Sequence, residues 1–379
     1  MQVKIIRDFD SLAPFADDWN RLALQAPQRI PMLSHAWVIT YLEHFLEPGE
    51  SWFCLLVLQG DELLGVLPVL VTPTKHGGIN RALLRTPFNM HTASVDFITK
   101  ENQAHNIMPL LLEGLESVAH QRLGLELRRI PASSPTLSVL SNRIHGSVII
   151  KEFNGKGSFL DTTGSFDEYR AGLSHNFSRN LTKANNKIAR LPNVRALFLT
   201  GGEADEKEAA TLMKVEAAGW KGQAGTAILS SPVLQSFYTT LTRRLSKLGW
   251  LEWHILFTDE RPIAVHFAIK VGRTLVVNKL GYDEEFSFCA PGNILFERTI
   301  RRAFDSGDTD EMNCLTDMTW HDNWKMIKKD YFDLWIYPRR PIPLIYGVLP
   351  KKIRQWGRHV PALKSLYNRI RTARNRTKE

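Results

Sequence analysis

Hydrophobic and polar positions follow the same order in two separated parts of the chain, and each part predicts a β-hairpin. Residues 55–70 and 254–269 both read as an apolar run, a short polar turn and a second apolar run. A segment with helical spacing precedes each hairpin, at 34–45 and at 232–248. Two related α/β halves are the simplest interpretation of this repeat, and chance similarity between two hairpins is the alternative.

A second pattern predicts a strand, a loop, a helix and a short strand. We expect the strands at 274–280 and 311–315, and the helix at 293–304, opening at Pro291 and Gly292. A glycine at the start of a helix leaves backbone N–H groups uncovered, and the helix dipole makes them attractive to an anion. The pattern therefore predicts a site for an anion such as a pyrophosphate around Gly292.

Glycine, serine and threonine concentrate between residues 153 and 165, which predicts a loop and a domain boundary. The length of 379 residues also favours two domains. We expect an N-terminal domain at 1–158, a C-terminal domain at 159–345 and a basic tail at 346–379.

A helix with a strong apolar stripe is predicted at 177–191, directly after that boundary. Arg179, Lys183 and Lys187 repeat at a spacing of four and line another face of it. They form either a solvated face or a contact for the phosphates of a cofactor or an anionic substrate.

The net charge of +9 lies at one end of the chain. Residues 351–379 hold ten Lys and Arg side chains and one acid, whereas the remaining residues hold 38 basic and 38 acidic side chains. A neutral body argues against a nucleic-acid partner. Within the tail, residues 361–374 predict a basic amphipathic helix that would contact an anionic membrane surface reversibly, bind an acidic partner, or fray.

Neither a signal peptide nor an uninterrupted membrane span is evident, so we expect a cytoplasmic protein, peripheral to the membrane where the tail binds it. Three isolated cysteines, at 54, 289 and 314, predict neither a disulfide framework nor a zinc site. The Walker loop, the dinucleotide fingerprint, the Gly-x-Ser-x-Gly elbow and the His-Glu-x-x-His motif do not occur. Kinase, redox, α/β-hydrolase and zinc-hydrolase functions therefore lose support.

Polar side chains in apolar strands are the first candidates for chemistry, because a buried polar group needs a partner or a purpose. His266 lies in the predicted strand 263–270, and Asn278 and Lys279 end the strand 274–280. His266 is either a satisfied core histidine or a functional one, and the same two interpretations apply to Asn278 and Lys279.

Two short segments add aromatic and titratable groups. Residues 316–325 contain Asp317, Trp320, His321, Trp324 and Lys325. They predict either a surface segment anchored by two tryptophans or a pocket wall with a proton acceptor. A second, glycine-flanked turn at 220–222 presents a tryptophan and a lysine.

In order and spacing these segments resemble the GNAT-fold acyltransferases of the CelD/BcsL type, which accompany bacterial cellulose and exopolysaccharide synthesis. The FemABX peptidyltransferases are more distant relatives. The resemblance rests on matching segments at 178–181, 216–222, 281–283, 291–292 and 320–324, and more loosely on Ser34-x-x-Trp37 and the hairpin ending at 65–68.

The resemblance implies a mixed α/β fold, a tandem duplicated GNAT fold with a basic C-terminal helical tail. Its sheet would splay at 274–280, where an acyl-CoA co-substrate would lie, and no metal is implied. The site it implies has His321 and His266 as catalytic bases, Asn278, Gly292 and Asn293 on the cofactor, and Trp220, Lys221, Tyr282, Asp283 and Trp320 on the substrate. The loop 288–293 is poorer in glycine than the usual phosphate loop, and His321 stands where relatives often carry lysine.

We therefore expect an acyltransferase that moves an acyl group from acyl-CoA to an amine or hydroxyl of a polar metabolite. The acceptor would be a small molecule or a lipid-linked sugar, as in envelope-polysaccharide synthesis. Two alternatives stay open: a FemABX-like transferase that uses aminoacyl-tRNA, and a non-catalytic accessory protein of a membrane polysaccharide synthase, which it would contact through residues 351–379.

Overall fold

The strands of the described residues all pair in one mixed sheet. The computed structural model describes residues 1–76, 78–141 and 146–359. The strands are β1 (Gln2–Ile6), β2 (Ser51–Gln59), β3 (Glu62–His76), β4 (Ile79–Arg85), β5 (Ile98–Thr99), β6 (Arg122–Pro131), β7 (Ser147–Asp161), β8 (Arg195–Thr200), β9 (Leu251–Thr258), β10 (Arg261–Val271), β11 (Thr274–Tyr282), β12 (Glu311–Asn313) and β13 (Ile327–Pro338).

Helices cover the two faces of this sheet. They are α1 (Phe9–Leu12), α2 (Ala16–Gln25), α3 (His35–His44), α4 (Ala104–Val118), α5 (Pro135–Ser141), α6 (Phe166–Gly172), α7 (His175–Ile188), α8 (Glu208–Ala217), α9 (Trp220–Gln223), α10 (Pro232–Lys247), α11 (Pro291–Asp305) and α12 (Leu349–His359), with a π-helix at Pro343–Val348 before α12. Shorter 3-10 turns include Glu284–Cys289 and Thr319–Trp324.

The order of the sheet repeats in the two halves of the chain. It runs β1-β2-β3-β4-β6-β13-β7-β12-β11-β10-β9-β8, with β5 paired to β3. Counted inward from either edge, the first three pairings are antiparallel, the fourth is parallel and the fifth is antiparallel. The hairpins β2–β3 and β9–β10 occupy matching places, as the repeat in the sequence predicts.

The two halves exchange their last strands. β7 follows β6 in the chain but pairs with β12, whereas β13 follows β12 and pairs with β6. β7 and β13 then pair with each other antiparallel at the centre of the sheet. The loop expected at 153–165 is therefore wrong over residues 153–161, which belong to β7 because β7 pairs with β13. The chain turns only after Asp161, and the domain limits 1–158, 159–345 and 346–379 stay a prediction.

A shared core joins the halves on one face of the sheet. The Phe45 ring, which follows α3, lies 4.6 Å from the Phe237 ring of α10, and Trp37 packs edge-on against the same ring. On the rim of this contact Arg244 pairs with Glu43. One hydrophobic cluster contains residues of both halves, so they are packed as one body.

The sheet opens beside α11. β11 and β12 pair only over Thr274–Val276 and Glu311–Asn313, after which β11 continues to Tyr282 without that partner. A β-bulge against β10 leaves Asn278 as the extra residue of β11. The strand expected at 274–280 and the helix expected at 293–304 are confirmed with small extensions at their ends, and strand 311–315 is two residues shorter.

Two further findings concern the described part of the chain. No helix there is long and apolar enough to cross a membrane. The three cysteines are buried and unbridged. The amphipathic segment expected at 361–374 lies outside the described residues.

Candidate active site

A cavity of about 410 Å³ fills the opening between β11 and the segment after β12. Its floor is formed by β10, β11 and α11, and its rim by α9 and the 3-10 turn Thr319–Trp324. Six of the residues that the sequence singled out line it: Trp220, His266, Tyr282, Gly292, Asn293 and Trp320. The tertiary structure thus brings together side chains that are spread over the 101 positions from Trp220 to Trp320.

The first turn of α11 opens into this cavity. Ala290 adopts the left-handed conformation (φ 49°), Pro291 carries no N–H, and the first bond across the helix start runs from the N–H of Ile294 to the carbonyl of Ala290. The N–H groups of Gly292 and Asn293 therefore precede the hydrogen-bond ladder of the helix. A side chain at Gly292 would meet the ring of Tyr282, since an added Cβ would lie 3.2 Å from its Cδ1. The arrangement provides two N–H groups for an anion, fewer than a glycine-rich loop offers.

Few of the basic side chains of α7 and α11 lie near this helix start. Lys187 of α7 donates to the carbonyl of Phe288 at 3.0 Å, next to the loop. Arg179 instead contacts Asn176 within its own helix. The arginines of α11 surround a separate cavity of about 420 Å³, where the guanidinium of Arg302 lies 5.2 Å above the ring of Phe198. Compared with Arg179 and the arginines of α11, Lys187 is thus the better placed for an anion at the start of α11.

His266 lies in the cavity floor at the end of a buried chain of hydrogen bonds. Its Nδ1 is 3.1 Å from Oγ1 of Thr299, and the same oxygen is 3.0 Å from Nδ1 of His254. Nε2 of His254 is 3.1 Å from Oε2 of Glu252. The three inner residues are at most 2% exposed, whereas the Glu252 side chain is 12% exposed. The chain thus connects the cavity to the edge of solvent.

An ionised Glu252 fixes the direction of every bond in this chain. The carboxylate accepts, so His254 donates from Nε2 and its Nδ1 is an acceptor. Thr299 then donates its hydroxyl proton to His254 and accepts from Nδ1–H of His266. Nε2 of His266 is left with a lone pair for the cavity. Burial, and secondly His254, lowers the pKa of His266 well below the usual value of a histidine, so its imidazole is neutral at neutral pH.

Comparison with known proteins finds a similarity in this part of the chain. Residues 175–326 match the model of the acetyltransferase (GNAT) domain family. The matched range contains β8 to β12, the cavity and the hydrogen-bonded chain. This match, with the mixed sheet, confirms the predicted fold class; the narrower CelD/BcsL-type grouping stays a prediction. A search of curated proteins finds no relative.

Solved structures with the same fold span both halves. FemX superimposes with a TM-score of 0.62 at 9% identity, over 91% of this chain and 99% of the other. A conserved protein of unknown function from Bacteroides thetaiotaomicron gives 0.55 at 10% identity, over 89% and 100%. The C-terminal domain of a putative lysylphosphatidylglycerol synthetase from Agrobacterium fabrum gives 0.50 at 8%, over 88% and 94%. At these identities the likeness concerns the fold.

His321, the base first expected from the sequence, lies outside the lining of the GNAT cavity. It is 1% exposed, and its Nδ1 accepts from the N–H of Met318 and lies 2.7 Å from Oγ of Ser158. Burial, and secondly Lys328, lowers the pKa of His321 to about 4. These contacts fasten the segment after β12 to β7, so the geometry favours a structural role.

Lys221 and Asp283, expected on the acceptor side, are engaged in ion pairs instead. Nζ of Lys221 is 2.5 Å from the buried carboxylate of Glu216. Asp283 is 2.6 Å from the guanidinium of Arg261, at the outer end of β11. Neither residue belongs to the cavity lining, because each side chain points to a partner on another element.

Asn278 and Lys279 also lie beside the cavity rather than in its lining. Oδ1 of Asn278 is buried and has no hydrogen-bond partner among the described residues. Lys279 points toward α8 and α10: its Nζ lies 3.8 Å from Glu216 and 5.5 Å from the ring centre of Tyr238. Burial, and secondly Lys221, lowers the pKa of Lys279 to about 8. The ammonium group of Lys279 is therefore directed to α8 and α10 rather than into the cavity.

Sequence reasoning missed Glu252, His254 and Thr299. A signal for two of them exists, because Glu252 and His254 occupy alternate positions of an apolar strand and so share one face. His254 is also the direct cross-strand neighbour of His266. Thr299 has no comparable signal, since a threonine inside an amphipathic helix has many uses. Within the described ranges no group of three His, Cys, Asp or Glu side chains could hold a metal ion.

Proposed function

We propose that the protein is an acyltransferase that uses acyl-CoA and acts in the cavity of the GNAT domain. The observation that carries this proposal is the coincidence of three features in one opening of the sheet. They are the uncapped first turn of α11, the oriented imidazole of His266 and the aromatic rim. Acyl transfer requires a bound donor, a base for the incoming nucleophile and a shielded reaction site.

The donor would supply an activated acyl group as a thioester. The N–H groups of Gly292 and Asn293 suit its pyrophosphate, with Lys187 nearby as a cation. The acyl end would then lie along β11 beyond Val276, where the edge of the strand away from β10 is no longer paired with β12. The residues present therefore fit such a donor.

His266 would take the proton of the attacking amine or hydroxyl at Nε2. A buried imidazolium is unfavourable, as the low pKa of His266 indicates, so the proton must be passed on. His266 would give its Nδ1 proton to Thr299, Thr299 would give its own to His254, and His254 would give its Nε2 proton to Glu252. The nucleophile would form its new bond to the acyl carbon, the bond to sulfur would break, and the thiolate would leave. The proton would end on the Glu252 carboxylate, at the edge of solvent.

The acceptor would bind against the aromatic rim. Trp220 is 56% exposed at one side of the cavity, and Tyr282 and Trp320 line it. Flat aromatic surfaces with few charges suit a polar metabolite that also has apolar faces, such as a sugar. A sugar or an envelope-polysaccharide precursor, free or lipid-linked, is the acceptor class we propose.

Calorimetric titration with acetyl-CoA and with longer acyl-CoAs tests the donor. We expect micromolar binding to the wild-type protein. Gly292→Val places methyl groups against Tyr282 at the cavity mouth and should weaken binding at least about tenfold. Gly202→Val is the matched control, because an added Cβ there meets nothing within 4 Å. Absence of binding by the wild type, or equal binding by the Gly292 variant, would contradict the proposal.

An aminoacyl-tRNA donor is the second candidate, supported by the likeness of both halves to FemX. Twelve Lys and Arg side chains between Arg339 and Lys378 could contact RNA phosphates. Binding of aminoacyl-tRNA with a steep salt dependence, together with no binding of acyl-CoA, would favour this donor. A protein that binds neither would be the non-catalytic accessory protein.

A further inference from the structure

An apolar stripe runs along the outer face of the helical segment at 343–359. Ile345, Leu349, Ile353 and Trp356 are 53%, 52%, 57% and 66% exposed. Their spacing of four, four and three residues places them on one side of a helix. A row of four large apolar side chains in water is uncommon on a soluble protein and marks a surface that another body covers.

The opposite side of the same segment is packed on the sheet. Val348 is buried in a cluster with Trp335, and Nζ of Lys351 lies 3.3 Å above the ring of Trp335. Gly347 lies so close to Tyr337 that an added Cβ would be 2.3 Å from its ring. The segment is therefore anchored through its inner side, and the stripe is held outward.

Positively charged side chains lie beside the stripe. Lys352 and Arg354 are exposed next to it. The sequence contains twelve Lys and Arg residues and no acid from Arg339 to Lys378. Apolar side chains flanked by cations complement a phospholipid surface, which offers an apolar interior beneath anionic headgroups.

We propose that the segment 343–359 docks flat on an anionic phospholipid surface, with Ile345, Leu349, Ile353 and Trp356 inserted below the headgroups. A second copy of the chain fits the stripe less well, because pairing two such faces would bring their cations together. An acidic protein would satisfy the cations but needs an apolar groove of matching length. The inference is independent of the donor and acceptor proposed above.

Co-sedimentation of the full-length protein with vesicles tests the surface. We expect binding to vesicles of phosphatidylcholine mixed with phosphatidylglycerol, weak binding to phosphatidylcholine alone, and release at high salt. Leu349→Gln with Ile353→Gln should lower the affinity for the mixed vesicles at least about tenfold. Leu229→Gln with Val233→Gln is the matched control, since these side chains are 43% and 48% exposed elsewhere, and it should bind as the wild type does.

A second pair, Lys352→Gln with Arg354→Gln, should also weaken binding, and urea unfolding should show that all three pairs fold. Equal vesicle binding by Leu349→Gln/Ile353→Gln and the wild type would overturn the proposal, as would a wild type that ignores anionic vesicles. A concentration-dependent dimer in sedimentation velocity, abolished by the Leu349/Ile353 pair, would assign the stripe to a second copy instead.

Discussion

Replacement of Thr299 by valine is the sharpest test of the hydrogen-bonded chain behind the cavity. The two side chains have nearly the same shape, so the change removes a hydroxyl without opening a hole. That hydroxyl bridges the Nδ1 atoms of His254 and His266 at 3.0 and 3.1 Å. Both nitrogens belong to residues that are at most 2% exposed, so water cannot readily replace the lost hydrogen bond of either one.

The magnitude follows from this geometry. Two hydrogen bonds of about 1 kcal/mol each are lost, and two buried polar atoms lose their partner, which gives a loss of about 2–4 kcal/mol in the free energy of unfolding. Thr242→Val is the matched control, because this buried helix threonine donates only to carbonyls of its own helix. The control should lose about 1 kcal/mol or less. Thr299→Ser keeps the hydroxyl and should restore most of the difference.

Nitrogen NMR of histidine-labelled protein measures the tautomers of His254 and His266 in the hydrogen-bonded chain. In the wild type we expect opposite tautomers: His266 protonated at Nδ1, and His254 protonated at Nε2 because it donates to Glu252. Thr299→Val should mix the tautomers of His266, whereas His254 should keep its Nε2 proton because the bond to Glu252 remains. Thr299→Ser and Thr242→Val should leave both rings unchanged. In an acyl-transfer assay the valine variant should lose about 10²-fold in kcat/KM with the donor still bound.

Either of two results would contradict this role of Thr299. One is a wild-type spectrum in which His254 and His266 show the same tautomer. The other is a Thr299→Val variant in which the tautomer of His266 is unchanged and the stability equals that of the Thr242→Val control. Donor binding measured on the same samples separates these failures from a failure of the proposed function.

Three further predictions concern stability and the roles of individual residues. Burial lowers the pKa values of His91 and His321 to about 4, so the unfolded chain binds more protons than the folded protein. The free energy of unfolding should therefore fall as the pH drops from about 6.5 toward 4. Urea titrations at several pH values measure this slope, which would be absent if the two rings were charged in the folded protein. His321→Asn should flatten part of this dependence and lower stability, while acyl transfer persists; loss of turnover with a normal fold would restore His321 as a catalytic base. Gly222→Ala should lower the free energy of unfolding by about 2 kcal/mol or more in urea, because the new Cβ would lie 1.8 Å from the carbonyl oxygen of Ala217. Gly202→Ala is the control and should be nearly neutral. Equal stabilities of the two variants would contradict the close packing at Gly222.

The sequence alone predicts those features that depend on neighbouring residues. The helix start at Ser34 is confirmed, since its side chain accepts from the N–H of Trp37. The hairpin turns near Gly60 and Asp259 are confirmed as well, and both residues adopt positive φ. Strand β11 and helix α11 follow from apolar periodicity and from Pro291 at the first helical position. These signals are local, so the rest of the fold adds little to them.

Tertiary structure alone decided which distant segments meet. The exchange of β7 and β13 reflects backbone pairing across some 180 residues, and the glycine and serine content of β7 suggested a loop instead. Tertiary contacts also decided the roles of the site residues. In the sequence His321 lies among aromatic residues, which favours it as the catalytic base. Packing turned it toward Ser158 and placed His266 above Thr299. Composition can indicate that a polar side chain needs a partner, but the partner is chosen by the folding of strands and helices that are far apart in the chain.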